Sequence, residues 1–405
     1  MKKSLLCYLV KILIITCANL QVLFSNSSLH PVVYDGRLVY IDTTGKIILD
    51  DDYETKFELG KIGIDGLTKS FPIYIFPEYA FFSENKATVR RTYGFWFIRL
   101  GEEFEVINNK GKTVITTSDR FVGKFSNNLA VIKIPLKSFD YIYDEKYTFV
   151  DTSGKFVFVA ECDTNNKDLY YNQQTNNCIK TFKYAGDYSE GRAIVLTENH
   201  FNFIDLKGNY ISNIGFEDAK QFTNGLAPIR INSKWGAINS KGDITIEPKY
   251  TELWNFNEGF ARFNDGKFLG FIDISGNIIF KDKYLYLGDF SDGYAVVKLS
   301  ETEYNYLDRS GNLVSLQKLL LTNSDKETYT PQSFMLAANF SEVVARVLVN
   351  GKWGFINTAF EFFIEPVYDF ASDFRSGFAY IWKDDKLMII NRNKEIIWTY
   401  QFETK

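Results

Sequence analysis

Histidine, cysteine and methionine are scarce in this chain, with two, four and three copies in 405 residues. A zinc site, a Ser-His pair or a Cys-His pair would have to use His30 or His200. His200 closes the segment Glu198-Asn199-His200, which aligns with the turn Asn350-Gly351, and is expected in a surface turn. Neither Cys162 nor Cys178 has metal-ligand spacing. Asp163-x-Asn165-x-Lys167 begins like a calcium loop but lacks the central glycine and the closing glutamate. No metal, cofactor or catalytic residue is therefore expected. Excess positive charge is also missing: 46 basic residues face 50 acidic ones, a net charge of −4. A general nucleic-acid binder needs a basic surface to displace counterions, so nucleic acid is not an expected partner. Ala-rich, helix-favouring stretches are absent as well. What the chain has in quantity is aromatic residues, 37 Phe, 25 Tyr and 6 Trp, which favour strands.

The one long apolar stretch, Ile12 to Phe24, is too short and too interrupted (Asn19, Gln21) to span a membrane. With Lys2, Lys3 and Lys11 before it, the segment 1–27 reads as an export signal cleaved after Ser27, with Ser25 and Ser27 as the small residues at the cleavage site. Removing it leaves 43 basic against 50 acidic residues, a mature charge of about −7. A second reading stays open: Ile14-Ile15-Thr16-Cys17 loosely matches a lipobox, with Cys17 as the lipid-bearing residue and the only route to a membrane. The expected location is the periplasm, the cell surface or the medium. Only Cys162 and Cys178 then remain. In an oxidising compartment they are expected to pair and to close the polar loop Asp163 to Asn177, worth roughly 3 kcal/mol on the chain-entropy account.

Internal periodicity dominates the rest. Aromatic-x-x-Gly-x-Ala recurs at Tyr188–Ala193, Phe222–Ala227, Phe256–Ala261 and Phe290–Ala295, each 34 residues after the last. Phe374–Ala379 lies 34 after Phe340–Ala345, and weaker copies begin at Phe82 and Phe125. Gly or Asn at the fourth position implies a backbone with φ > 0. Val343 breaks that rule, so its turn is either rebuilt or strained. A second column, aliphatic then Asp or Asn, marks nine units: Asp42, Asn108, Asp151, Asp205, Asn239, Asp273, Asp308, Asn357 and Asn391. Such residues start turns by bonding their own backbone two residues on. Ala345 to Val349 alternates as a strand, Asn350-Gly351 is a hairpin signal and Lys352 to Asn357 returns. Phe362 to Pro366 is a third strand. Each unit thus reads as a three-stranded antiparallel meander followed by a linker carrying the aromatic. A piece this small buries a core only by stacking on its neighbours. The fold class is all-β, one repeat domain over about 30–400, either a propeller-like ring or an open superhelix. Insertions near 54–76, 160–182 and 316–334 fall in the same connection, between the Asp/Asn column and the next aromatic.

Gly351-Lys-Trp-Gly-Phe-Ile-Asn357 with Ile364-Glu-Pro366 and Phe374-x-x-Gly377-x-Ala379 resembles the bacterial WG repeat, as does Ser233-Lys-Trp-Gly-Ala-Ile-Asn239 with Ile246-Glu-Pro248. Other units depart: the Trp-Gly pair becomes Leu269-Gly270, Tyr147-Thr148, Phe201-Asn202 or Tyr304-Asn305. The resemblance implies a β-repeat architecture with an exported or interaction role, and no catalytic residues. Trp235 and Trp353 are expected in the core, with Gly236, Gly270 and Gly354 relieving crowding beside a large ring. The expected function is an exported, non-catalytic scaffold binding an unknown protein or glycan; the alternative is a propeller-type hydrolase with two carboxylates. Because a residue shared by all units serves what they share, binding is expected on the insertions, with Tyr170 and Tyr171 as anchors.

Overall fold

The structure, a computed structural model, describes residues 29–400 apart from 35–36, 54–57, 64–69, 76–84, 96–97, 119–121, 136–144, 161–168, 173–176, 198, 318, 320, 323–327, 330 and 332. For residues 37, 51–53, 58–63, 70–75, 88–95, 98–103, 118, 135, 145, 169–172, 321–322 and 328–329 it describes the backbone alone. The described residues contain no helix, and every strand pair is antiparallel. Export-signal residues 1–27, Cys17 and Cys162 lie outside the described residues.

Unit 5 shows the full repeat. A short strand, Asp218–Ala219, precedes the three expected ones, Leu226–Ile231, Lys234–Asn239 and Ile244–Tyr250, in simple sequential order. Unit 6 repeats it with Glu252–Asn257, Phe260–Asn264, Leu269–Asp273 and Ile278–Asp282. Units 8 and 9 do so with sheets spanning 336–368 and 370–399. The linker carrying the aromatic is therefore a strand and a turn. Its third and fourth residues both have φ > 0, for example Asn224 at 53° and Gly225 at 80°, which is the two-residue turn whose twist suits a hairpin. The aromatic itself is buried in every described copy, from Phe125 to Phe374. Val343 keeps this geometry at φ 60°, so its turn is strained and not rebuilt.

The Asp/Asn column makes turns in all nine units. Asp42 Oδ1 accepts hydrogen bonds from the Thr44 and Lys46 amides, and Asn391 Oδ1 from those of Asn393 and Glu395. The seven members between them do the same two and four residues on. Three places on, Gly45, Gly154, Gly208, Gly242, Gly276 and Gly311 sit against the outer strand of the neighbouring unit, as Gly311 does on Phe280, while units 8 and 9 place Phe360 and Lys394 there.

Core packing is between units. One apolar cluster joins each unit to the next: Leu253, Phe256 and Phe263 of unit 6 lie against Trp235, Ile246 and Tyr250 of unit 5. Phe271 of unit 6 lies against Leu287, Phe290 and Val297 of unit 7. A ninth cluster joins the ends, setting Val32, Val39 and Ile41 of unit 1 on Phe378, Leu387 and Ile389 of unit 9. His30 Nε2 lies 3.2 Å from the Tyr380 hydroxyl at the same seam, and Tyr34 packs edge-on to Trp398. Among the described residues the array thus closes into a propeller-like ring. Burial of His30 pushes its pKa down to about 4.

The insertions differ in place. In unit 1 the outer strand is complete, with Leu38 paired to Tyr53, and the extra hairpin Glu58–Gly63 with Ser70–Ile75 follows it. In units 3 and 7 the insertion interrupts the outer strand itself. After the excursion Phe182 pairs with Tyr147, and Phe334 with Tyr304, in the place where Tyr250 pairs with Trp235.

Candidate functional site

Neighbouring first strands and their turns touch one another directly. The Glu190 carboxylate accepts from the Gly225 amide, the Asn224 side chain from Gly259, Glu258 from Gly293, Asp292 from Val343 and Glu342 from Gly377. Adjacent sheets in a ring are nearest at its axis, so these elements form the inner edge. Residues on that edge are the ones a central ligand would meet.

Two places before the turn aromatic, six units carry a small residue: Ala80, Gly123, Gly186, Gly288, Ala338 and Ser372. Units 5 and 6 carry Lys220 and Trp254 there. Lys220 Nζ donates to the Leu253 carbonyl at 2.6 Å, lies 3.8 Å from Glu252, and sits 4.3 Å from the centre of the Trp235 ring and 5.4 Å from that of Trp254. Its burial among these rings lowers its pKa to about 8, with Glu252 and Asp218 opposing that shift. On Trp254 the Arg262 guanidinium lies 4.6 Å from the ring centre. Arg262 in turn forms a largely buried ion pair with Asp289 and donates to the Leu287 carbonyl at 2.6 Å. Arg230 extends the series, 5.8 Å from the Trp235 ring and held by Glu217 at 3.5 Å and Asp218 at 3.8 Å. Cations and indole rings therefore alternate from the third strand of unit 5, at Trp235, to the first two strands of unit 6, with Lys220 and Arg262 hydrogen-bonded to carbonyl oxygens and Arg230 close to Glu217 and Asp218.

The Arg262–Asp289 pair has a counterpart. Arg346 pairs with Asp373 at 2.8 Å, donates to the Ala371 carbonyl and covers Trp353 at 5.0 Å. These two ties join unit 6 to 7 and unit 8 to 9. Only the first adjoins a partly exposed tryptophan, because Trp353 is buried.

The sequence-predicted positions fall as follows. Trp235 and Trp353 are core residues at 3% and 4% exposure. The role expected for their glycines needs correction. A Cβ on Gly236 or Gly354 would meet not an aromatic ring but the backbone of the bulged outer strand, at the Pro248 and Pro366 nitrogens, 2.7 Å away in each case. Tyr170 and Tyr171 lie on the strand Leu169–Asn172, paired with Ile179 and Cys178 in the sheet of the second insertion, and their side chains lie outside the described residues. Cys178 is buried and disulfide-bonded; its partner lies outside the described residues, as Cys162 does. His200 occupies an exposed turn, where its carbonyl accepts from the Thr197 amide. Among the described residues no group of His, Cys, Asp and Glu could hold a metal ion, and no helix is long and apolar enough to cross a membrane.

A family model for the WG containing repeat matches residues 203–235, 235–267, 270–301 and 353–386. The chain carries WG repeats. The matches cover units 5 and 6 and therefore the Lys220–Trp254–Arg262 edge. No curated protein matches the chain. Solved structures resemble it in shape at 11% identity. BamB from Moraxella catarrhalis aligns over 75% of this chain and 89% of its own, with a TM-score of 0.36. Hsv2 from Kluyvelomyces marxianus aligns over 78% and 95%, at 0.34, and apo AztD from Citrobacter koseri over 74% and 92%, at 0.32.

Proposed function

We propose that this WG-repeat ring is an exported, non-catalytic scaffold that binds a protein or glycan at the inner edge of units 5 and 6. One observation carries the reading. The column that is small in six units becomes Lys220 and Trp254 in two adjacent ones, and Trp254 stays partly exposed there. A repeat needs identical residues to repeat its packing, so a local departure that adds a large, partly open aromatic marks local work. The repeated carboxylates are spent differently, because each Asp or Asn of the second column closes its own turn. Export rests on the signal-like segment 1–27.

Two measurements test this. N-terminal sequencing from fractionated cells should find a chain starting after Ser27 or at a modified Cys17; an intact Met1 in the cytosol would sink export. Protein and glycan arrays probed with the wild type and with Trp254→Ala should give hits that the variant loses. Hits that Trp254→Ala retains in full would place binding elsewhere on the ring.

A further inference from the structure

We infer that the Trp254 edge takes an uncharged, hydroxyl-rich ligand, a neutral saccharide; this rests on the binding reading above and names its ligand class. The argument starts from what each polar group has left to offer. The Trp254 indole N–H makes no hydrogen bond within the protein and is not among the buried unpaired atoms, so it is a donor open to a ligand. Glu252, 45% exposed in its side chain, lies 3.8 Å from Lys220, and Asp218, at 39%, lies 3.8 Å from Arg230 and accepts the Ala219 amide through Oδ1 at 2.9 Å, so each carboxylate keeps lone pairs open around Lys220. Arg230 is itself 38% exposed. One small area thus offers an open N–H donor, a half-open guanidinium and two half-open carboxylates.

Charge then selects among ligands. Lys220, Arg230 and Arg262 stand against Glu217, Asp218, Glu252 and Asp289, so the area is nearly balanced, with an excess of one negative charge. An anionic ligand would have to take Lys220 and Arg262 from the Leu253 and Leu287 carbonyls, and Arg230, the most open of the three cations, stands between Glu217 at 3.5 Å and Asp218 at 3.8 Å, which repel an anion. A cationic ligand would press against three fixed positive charges. An apolar ligand would strip water from Glu252 and Asp218 and give nothing back. A hydroxyl both donates and accepts, so a sugar can satisfy the indole N–H with an oxygen and the carboxylates with hydroxyl protons. Its C–H groups suit the exposed margin of an indole.

The test uses the mature chain, titrated by calorimetry with chitohexaose, maltohexaose, cellohexaose and xylohexaose. An acidic peptide and a polygalacturonate serve as charged contrasts. The expected result is saturable binding of at least one neutral hexasaccharide. Trp254→Phe should weaken it several-fold, since it keeps an aromatic ring but removes the N–H together with the five-membered ring that carries it, and Trp254→Ala at least tenfold. Glu252→Gln should weaken it three- to tenfold, with the wild-type melting temperature kept in Trp254→Phe and Glu252→Gln. If only the charged contrasts bind, the ligand class is wrong. If Trp254→Phe binds a neutral saccharide as tightly as the wild type does, the assignment of that N–H falls. A protein ligand lost by Trp254→Ala with no saccharide bound would overturn the saccharide inference and leave the binding scaffold standing. No Trp254-dependent ligand of any class would overturn both.

Discussion

Units 5 and 8 carry Trp-Gly at the start of their third strand; units 3, 4 and 7 carry Tyr147-Thr148, Phe201-Asn202 and Tyr304-Asn305. In the first pair a continuous outer strand of seven residues bulges over the glycine, Ile244–Tyr250 or Phe362–Tyr368. In the second group the outer strand is reduced to isolated bridges, one at each end: Ile204 with Tyr210 and Phe201 with Phe216 in unit 4. The gap is spanned by a side chain. Asn202 Nδ2 donates to the Ser212 carbonyl at 3.1 Å, Asn305 Nδ2 to the Val314 carbonyl at 3.4 Å, and the Thr148 hydroxyl to the Lys180 carbonyl at 2.7 Å. Glycine lets a neighbouring backbone close in; a short polar side chain reaches across to one that has moved away. That substitution is what allows units 3 and 7 to carry their insertions while Phe182 and Phe334 still close the sheet.

The largest way to break this comparison is to fill the glycine. Gly354→Val should cost about 3 kcal/mol or abolish the outer strand, because its Cβ meets backbone that cannot yield. Urea denaturation measures it, and a loss under 1 kcal/mol would mean the bulge is not fixed by contact.

Next in size is the seam, the one place where neighbouring units are not joined in sequence. His30 is buried neutral, with its pKa lowered from 6.5 to about 4. The unfolded chain therefore takes up this proton first as pH falls. Stability from this group is complete above pH 6.5 and is lost between 6.5 and 4, by roughly 3 kcal/mol. Urea midpoints of the wild type and His30→Gln across that range should diverge; parallel curves would show that His30 titrates normally.

Smaller effects separate space from backbone geometry. Nothing lies within 4 Å of a Cβ placed on Gly259, so Gly259→Val should cost about 1–2 kcal/mol through φ alone. Val343→Gly should recover about 1 kcal/mol by the same reasoning, since Val343 already bears that strain. Smallest is Asn202→Ala, which removes the spanning hydrogen bond of unit 4 and should cost about 1 kcal/mol. Thermal melts of all three rank them, and an Asn202→Ala loss larger than that of Gly354→Val would reverse the account of the two kinds of unit.

Periodicity made the strands, the left-handed turn position and the turn-making Asp/Asn column legible, because each recurs and averages out local noise. The short first strand was not legible. It is often only two residues, such as Asp218–Ala219, and its pairing is set by the turn after it. Ring closure was not legible either, since Val32 and Phe378 meet only through the summed rotation of all the units. Trp254 was visible in principle as a departure from a column of small residues, yet attention to shared residues and to insertions passes over it. Why Gly236 is needed was misread for a related reason: the bulge that brings Ile246 over it has no sequence signal beyond the Glu-Pro that follows.

Closure is the claim on which the inner edge and its site depend, and native-state hydrogen exchange tests it most directly. In a ring, the strands Arg37–Ile41 of unit 1, and Phe378–Lys383 and Lys386–Asn391 of unit 9, each lie between two partner strands and against a neighbouring unit like any other middle strand. Their amides should exchange as slowly as those of Leu226–Ile231 and Lys234–Asn239 in unit 5. Exchange that quickens steadily from unit 5 towards both ends would be the fraying of an open array and would contradict closure.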